Sequence, residues 1–574
     1  MILKPIFLRR LQGKIMKRLL PLIILFTVSS CTHTLVESNN DSITQIQNIK
    51  NSTPWQSYLP VNASSTLIDY SSVGVNYSNS GIPDLDLPIF SVTDFGAIAN
   101  DKIEDKEAIQ NTIKAAEKAG GGVVYFPAGR FLINERADRR AGILISSSRV
   151  ILRGSGNDKE GTELFMKYPL APKDPKKMWT VPPMILFQPQ GTLAPSSAKS
   201  GKAIAQSVII KDAKQNDMFV VVQHASQFKA GDVVTLDMQN TAANDDFMQG
   251  KQPRDIWQEV IDKGVRASET LEVDMIKGNK VYFKQALITR INADYGWKIR
   301  SIHTINNVGI ENLRFSGNFQ EKFSHHKNAT HDSGYTAVQL NKTTHSWVQN
   351  IVFENVSVAA TVSGGVANTM MLNVIEGNRG HSCFNITFGT RNLTALNIDK
   401  TNHGQWHGPG ASHLSVGNVI WRFISPKSRG IDSHGLFPRF TLYDNVTTFG
   451  FGGWGGNYKN LPNHLEGLLF WNFVQTGDSV GEWNDGVFNF WDIDKPKSQP
   501  YTFFTAVNPT LVGYEGSATG YVDEHMEHVA SFGKNVALDS LYESQLLYRS
   551  GNTPLWLIKS LEQWKRLQRI HLEK

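Results

Sequence analysis

Cysteine is scarce in this sequence, with only two residues, Cys31 and Cys383, in a chain of 574. We expect Cys31 to lie at the end of an N-terminal targeting segment, which would leave Cys383 without a disulfide partner in the exported chain. A fold stapled by disulfides is therefore excluded, and stability must come from a continuous packed core. We expect Cys383 to be a small buried hydrophobic residue.

Charged residues are also few, at 19% of the chain, whereas glycine is plentiful, with 47 residues. This composition favours strands and turns over a helical bundle. The net charge of +6 is a modest excess that favours polyanionic partners over polycationic ones. Charge alone therefore allows an acidic polysaccharide, a nucleic acid or an anionic lipid surface.

A single apolar run near the N-terminus, residues 19–28, is too short for a comfortable membrane span. Basic residues precede this run, and Ser29 and Ser30 lead from it to Cys31. The segment resembles a bacterial lipoprotein signal, which implies lipidation of Cys31 and anchoring to the outer membrane, facing the periplasm or the cell surface. An ordinary secretory signal or a membrane anchor is the alternative.

The most informative block spans residues 92–133 and has the form strand, helix, glycine-rich turn, strand. Apolar residues recur at helical spacing between Asp105 and Ala119. The β run Val123-Val-Tyr-Phe follows three glycines and ends at Pro127. The block therefore predicts a short amphipathic helix packed beside the first strands.

This block resembles the N-terminal cap of the pectate-lyase superfamily of right-handed parallel β-helices. Members usually carry Asp-Gly-x-x-Asp-Asp-Thr where this chain has Asp101-Lys-Ile-Glu-Asp-Lys106, a departure that falls in a loop. The resemblance implies an all-β fold, a right-handed parallel β-helix with an N-terminal capping helix. It does not fix the activity, because one fold serves many functions.

Short alternating strands flanked by asparagine recur along the chain, a pattern typical of a solenoid in which asparagine occupies the corners of the rungs. Tighter alternation and a hairpin from Val273 to Phe283 predict a small antiparallel β insertion. A C-terminal amphipathic helix is predicted with Thr553 as its cap and Pro554 at its first position. The predicted segments are residues 1–31 (signal peptide), 32–88 (tether and N-terminal wrap), 89–199 (cap and first rungs), 200–292 (inserted antiparallel subdomain), 293–550 (main β-helix with active-site loops) and 551–574 (C-terminal helix).

Histidine and arginine are concentrated in the loops between residues 370 and 470. Three interpretations fit this pattern: a ladder of buried histidines, a metal site, or acid–base and anion-binding chemistry on a carbohydrate. We expect no zinc site, because the glycines and proline around His403 and His407 argue against a helix that presents both. No cofactor is required, and a calcium ion is allowed but not necessary, since the rungs show no cluster of aspartates.

Cleavage beside a uronic acid by β-elimination needs a base for the proton on C5, a cation for the carboxylate and an acid for the leaving oxygen. We expect His407 and His434 to serve as base or acid, Tyr335 as a further acid, and Arg439 or Arg429 as the cation. The predicted substrate-binding residues are His403, Trp406, His413, Arg379, Lys427, Arg429 and Glu376.

Hydrolysis is the main alternative, and it requires two carboxyl groups that flank the bond. The polygalacturonase-like hydrolases of the superfamily carry an Asn-Thr-Asp rung, an Asp-Asp rung and a Gly-His-Gly rung. The nearest matches in this chain are Ser433-His434-Gly435 and the pair Asp245-Asp246, which is displaced into the insertion. A different hydrolase would use Glu376 with Asp432 or Glu466. A non-catalytic polysaccharide-binding β-helix is the third hypothesis.

The architecture as a whole resembles the larger lipoproteins of this superfamily, which include lyases acting on glycosaminoglycans and other uronate-rich polymers. We therefore predict a lipid-anchored lyase that cleaves an acidic, glycosaminoglycan-like polysaccharide by β-elimination. We expect a monomer that contacts the membrane through its lipid and has no nucleic-acid partner.

Overall fold

The computed structural model describes most of the chain after residue 52. Cys31 and Arg429 lie outside the described residues. The described ranges are residues 53–59, 67–138, 140, 142–192, 205–427, 430–450, 460–477, 487–488 and 505–573.

Parallel strands form the body of the protein, in one large sheet and one smaller sheet. The 18-stranded sheet contains β1 (Ile89–Ser91), β2 (Gly122–Phe126), β3 (Gly129–Asn134), β5 (Val150–Gly154), β6 (Thr162–Met166), β15 (Gly309–Gly317), β18 (Trp347–Glu354), β20 (Thr369–Met371), β21 (Val374–Glu376), β23 (Leu393–Ala395), β24 (Ile398–Asp399), β26 (Val419–Trp421), β27 (Ile424–Ser425), β28 (Leu442–Asp444), β29 (Thr447–Thr448), β30 (Leu469–Gln475), β32 (Thr510–Glu515) and β34 (His528–Phe532). The 6-stranded sheet contains β4 (Ile143–Ile145), β7 (Ile185–Phe187), β16 (Thr336–Asn341), β19 (Val358–Ser363), β22 (Ser382–Thr387) and β25 (Gly410–Ser412).

Successive turns of the chain stack in register, which is the defining feature of a β-helix. Trp347 pairs with Thr369, Thr369 with Leu393, and Leu393 with Val419, each in parallel. Inside the coil, aromatic side chains from successive parts of the chain contact one another. The ring centroids of Phe315 and Phe353, of Phe353 and Phe384, and of Phe384 and Phe423 lie 6.3, 6.1 and 6.1 Å apart. The repeated rungs thus bury one continuous core.

The N-terminal cap has the predicted form. Helix α1 (Lys106–Lys118) follows Asp105 and buries Ile109, Ile113 and Ala116 against the first strands. The carboxylate of Asp105 accepts hydrogen bonds from the backbone of Ile98 and Leu132, which fastens the start of the helix to β3. The helix therefore covers the open end of the coil.

The insertion is an antiparallel sheet, as predicted, and it contains the hairpin in which Val273 pairs with Phe283. Its last strand extends past the predicted boundary at residue 292, because β13 (Lys298–Ile302) pairs on one side with β8 (Gln206–Val208) and on the other with β10 (Val233–Asn240). The six strands are β8 (Gln206–Val208), β9 (Phe219–Val221), β10 (Val233–Asn240), β11 (Val265–Lys277), β12 (Lys280–Phe283) and β13 (Lys298–Ile302). The remaining short elements are β14 (Ile305–Asn306) paired with β17 (Thr343–Thr344), β31 (Val487–Phe488) paired with β33 (Gly520–Tyr521), α2 (Asn244–Phe247) and α3 (Gln258–Lys263).

Two helices close the chain, α4 (Leu541–Ser550) and α5 (Leu555–Leu572). The predicted cap of α5 is wrong by one residue: Pro554 is the N-cap, with an extended backbone, and Thr553 lies outside the helix. Leu557 and Trp564 are buried against the β-helix. The prediction of an all-β parallel β-helix with a capping helix, an antiparallel insertion and a C-terminal helix is confirmed. Among the described residues, no helix is long and apolar enough to cross a membrane.

Buried asparagine side chains from successive turns form hydrogen-bonded ladders along the coil. Asn368 Nδ2 donates to Asn392 Oδ1 at 3.0 Å, and Asn392 Nδ2 donates to Asn418 Oδ1 at 3.1 Å. All three side chains are fully buried. Each amide therefore satisfies polar groups of the turn before it and the turn after it.

Replacing Asn392 by Ala is expected to lower the free energy of unfolding by about 2–3 kcal/mol. The change leaves the backbone N–H and the side-chain amide of Asn368 without their common acceptor inside the core. Urea unfolding followed by circular dichroism measures the loss. Asn306→Ala, at an exposed strand residue, is the control. Equal stabilities of the two variants would contradict a structural role for the ladder.

Candidate active site

The candidate active site lies beside the 6-stranded sheet, where three successive turns each present polar side chains. His381 directly precedes β22, His407 forms a parallel bridge with the first residue of β22, and Asp432 forms one with β25. The ring of His407 lies 4.7 Å from that of His381 and 4.7 Å from that of His434. The three rings meet edge to face and form a column beside the sheet.

A loop before β16 adds a fourth histidine to this column. The ring of His325 stacks on Trp406 with centroids 4.8 Å apart. It also lies 5.4 Å from each of His381 and His407. We call His325, His381, His407 and His434 the histidine cluster.

The same loop carries a separate pair, in which His326 Nδ1 lies 2.6 Å from Asp332 Oδ2. His326 is exposed, whereas Asp332 is buried. Sequence reasoning missed His325, His326 and Asp332 as site residues. The available signal was a His-His pair six residues before an aspartate in a polar segment.

Asp432 is the electrostatic centre of the cluster. Its carboxylate lies 2.6 Å from His434 Nδ1 and 3.3 Å from His407 Nδ1. Burial alone would raise the pKa of Asp432, but the two neighbouring imidazoles outweigh burial and hold the pKa well below its usual value. Asp432 is therefore ionised and orients both rings.

The histidines of the cluster differ in how readily they accept a proton. Burial opposes protonation of His434, but the adjacent Asp432 outweighs it and raises the pKa. Burial lowers the pKa of His407 despite Asp432, and burial together with the neighbouring His407 and His325 lowers the pKa of His381 well below its ordinary value. The column therefore combines one easily protonated ring with two rings that stay neutral.

Four of the predicted residues are brought together here: His407, His434, Trp406 and Arg379. The Arg379 guanidinium lies 5.3 Å from the centre of the Trp406 ring. Of the other predicted residues, His403 and Lys427 are exposed on neighbouring loops, and His413 contacts Ser412 and Phe388 instead.

Arg439 and Tyr335 do not fit the roles predicted for them. Arg439 is only 1% exposed, and its guanidinium donates to Thr289 Oγ1 at 2.8 Å and lies 3.5 Å from Glu466. A cation so deeply buried cannot reach a substrate carboxylate. Tyr335 is 5% exposed and packs near Phe319, and burial raises its pKa to about 12. Neither side chain is placed to touch a polymer.

Glu376 belongs to another surface. Its carboxylate pairs with Arg314 at 2.6 Å and with Lys400 at 2.9 Å. These residues line a groove of about 1120 Å³ between the 18-stranded sheet and helix α5. Glu376 is therefore separate from the histidine cluster.

Two family models match parts of the chain. Residues 89–166 match the family described as rhamnogalacturonase A/epimerase, pectate lyase-like. Residues 404–560 match a domain of unknown function, DUF4955. The second match contains His407, Asp432 and His434.

Curated relatives share only a short stretch with this chain. Alginate lyase 7 of Azotobacter vinelandii is 43% identical over 67 residues, which is 12% of this chain and 8% of the relative. Mannuronan C5-epimerase AlgE3 of the same organism is 41% identical over 68 residues, 12% of this chain and 4% of the relative. The chain thus spans less than a tenth of the length of these two relatives.

Similar solved structures cover more of the chain at low identity. The tailspike protein gp49 of Pseudomonas phage LKA1 is 13% identical, with 74% of this chain and 64% of that chain covered and a TM-score of 0.33. The A-module of the A. vinelandii mannuronan C-5 epimerase AlgE6 is 11% identical, with 78% and 99% covered and a TM-score of 0.32. With its stacked parallel rungs and its match over residues 89–166, the chain carries a pectate-lyase-like domain at the start of a parallel β-helix.

Proposed function

We propose that this protein acts on an acidic polysaccharide and that the histidine cluster with its flanking His326–Asp332 pair is the active site. The observation that carries the proposal is the Asp432 carboxylate held between His407 and His434, beside an aromatic ring and a guanidinium. The short stretches shared with an alginate lyase and a mannuronan epimerase support the substrate class. We further propose that the reaction is β-elimination, carried out at the cell envelope by a chain anchored through a lipid on Cys31.

His434 is the group best placed to exchange a proton with the substrate. Its side chain is 31% exposed, and its Nδ1 is bound by Asp432. This bond fixes the ring and leaves Nε2 to accept the proton from C5 of the uronate. His407, with 7% of its side chain exposed, is too enclosed for that role and acts on His434 through Asp432.

The second His–Asp pair provides the partner that elimination needs. His326 is 57% exposed at its side chain, and Asp332 holds its Nδ1 as Asp432 holds that of His434. The His326 ring lies 6.1 Å from that of His381, at the edge of the column. We assign His326 as the acid that protonates the leaving oxygen.

Arg379 takes the neutralising role that Arg439 cannot fill. It is partly exposed and lies over Trp406, and the indole holds the guanidinium where it can meet the carboxylate of a uronate. Neutralising this carboxylate is the largest electrostatic contribution to removing so weakly acidic a proton.

The positions of the carboxylates favour elimination over hydrolysis. A glycosidase needs two carboxyl groups that flank the scissile bond. Asp432 is engaged by two imidazoles, Glu466 is buried between two arginines, and Glu376 is paired in the separate groove. These three residues therefore do not provide two available carboxyl groups at the histidine cluster.

The experiment is an activity assay of the purified protein on chondroitin, hyaluronan, alginate, pectate, ulvan and a sulfated galactan. We expect rising ultraviolet absorbance from an unsaturated uronate on at least one polymer. His434→Ala is expected to lower kcat by about 10²-fold or more, whereas His303→Ala, at an exposed histidine away from the cluster, keeps the rate.

Other outcomes separate the alternatives. New reducing ends without absorbance identify a hydrolase, and solvent deuterium at C5 without chain cleavage identifies an epimerase. Binding without either reaction identifies a non-catalytic polysaccharide-binding protein. A rate that His434→Ala leaves unchanged would place the active site elsewhere.

A further inference from the structure

Three histidines from separate parts of the chain converge on one point. One imidazole nitrogen from each of His325, His381 and His407 lies within 4.8 Å of the other two. We propose that these three residues bind a single divalent d-block cation, with Zn²⁺ as the probe that tests it. The proposal does not rest on the proposed function, because binding of the metal is measured without any polysaccharide.

His407 has the features of a metal ligand. It is 6% exposed, and its Nε2 has no hydrogen-bond partner in the protein. Its other nitrogen, Nδ1, faces the Asp432 carboxylate at 3.3 Å. A carboxylate behind one imidazole nitrogen is the usual way in which proteins fix the tautomer that leaves the other nitrogen free to coordinate a metal.

His381 presents a second buried nitrogen of the same kind. Its Nε2 is shielded from solvent and has no hydrogen-bond partner in the protein. The ring lies 4.7 Å from His407 at an interplanar angle of 87°. Buried polar atoms are nearly always paired, so two unpaired nitrogens in adjacent rings need an explanation, and a shared cation supplies it.

His325 completes the set from outside the rungs. Its loop brings it over the column, and stacking on Trp406 at 4.8 Å holds the ring in place. His325 precedes His381 by more than two turns of the coil, so the spacing of these histidines in the sequence does not predict that they meet. The prediction of no zinc site was based on the pair His403 and His407. In the structure His403 is exposed on a loop and is not part of this set.

The donor atoms select the class of metal. Three neutral imidazoles suit zinc and neighbouring d-block ions, whereas calcium needs six to eight oxygen ligands. Zinc–nitrogen bonds of about 2.0–2.1 Å in a tetrahedron place the nitrogens about 3.4 Å apart, so the nitrogens must approach one another by up to about 1.4 Å on binding. Three protein ligands leave a fourth position for an anionic oxygen.

The test is isothermal titration of the purified protein, after treatment with a chelator, with zinc chloride. We expect one site per chain with a Kd tighter than about 1 μM. His381→Ala and His407→Ala are each expected to weaken binding by about 100-fold or more, while His303→Ala binds like the native protein. Circular dichroism confirms that the variants remain folded.

Cobalt substitution gives an independent readout. Bound Co²⁺ should show the intense visible bands of tetrahedral nitrogen coordination, and these bands should disappear in His381→Ala. The proposal is overturned by the absence of a stoichiometric site for Zn²⁺ and Co²⁺, by binding that both histidine variants leave unchanged, or by calcium that displaces zinc from the site. Zinc binding without polysaccharide cleavage would leave the metal site standing and refute only the proposed function.

Discussion

Replacing Asp432 by Asn is expected to lower kcat by about 10³–10⁴-fold on the polymer that the assay identifies. Asp432 lies 2.6 Å from His434 Nδ1 and keeps the proton on that nitrogen. An asparagine amide turned toward Nδ1 donates instead, which moves the proton of the imidazole to Nε2. The ring then meets the substrate with a donor where a base is needed.

The control for this substitution is Asp444→Asn, at an equally buried aspartate on another rung. Asp444 accepts hydrogen bonds at 2.7 Å from Ser540 Oγ and from the backbone N–H of Tyr542, which an asparagine oxygen can also accept. Burial raises the pKa of Asp444 to about 7, so the neutral amide replaces a group that is already partly neutral. We expect less than about a three-fold change in rate. Equal losses in the two variants would show that Asp432 acts on the fold and not on His434.

Local signals in the sequence were sufficient for most of the fold. The capping helix and the Val273–Phe283 hairpin are each determined by neighbours a few residues away, through the spacing of apolar side chains and through turn chemistry. The repeat then determines the stacking, because each rung can bury its apolar face only against the next.

The site was predictable only where the rung repeat determines it. His407 pairs with Ser382 on the adjacent turn, so the repeat places its ring beside that of His381. His325 and His326 belong to a loop whose path over the column depends on tertiary contacts. For Arg439 the error lay in the direction of the side chain: its partner Thr289 belongs to the insertion, 150 residues away in sequence.

The two family matches cover different parts of the chain, and the pectate-lyase-like match does not include the candidate active site. The pectate-lyase-like match ends at residue 166, before every member of the histidine cluster. The domain of unknown function contributes His407, Asp432 and His434, while His325 and His381 lie between the two matches. The cap therefore identifies the scaffold, and the activity must be established on the later rungs.

Glu466→Gln is expected to lower the free energy of unfolding by about 3–5 kcal/mol, the largest stability effect we predict. Glu466 is 3% exposed and pairs with Arg290 at 2.8 Å and with Arg439 at 3.5 Å. The neutral amide leaves the buried Arg439 guanidinium without its nearest opposite charge. Urea unfolding measures the loss. Asp246→Asn, which removes the partly exposed second partner of Arg290, should cost about 1 kcal/mol or less.

The activity and stability of Glu466→Gln together distinguish a structural role for Glu466 from a catalytic role in a hydrolase. A catalytic carboxylate replaced by its amide loses the reaction while the fold keeps its stability. If the carboxylate instead joins the insertion to the β-helix, the variant is less stable, but the fraction that remains folded reacts at the native rate. The contacts of Glu466 with Arg290 of the insertion and Arg439 of the coil favour the second result. If the variant is inactive but unfolds at the same urea concentration as the native protein, Glu466 is a catalytic residue.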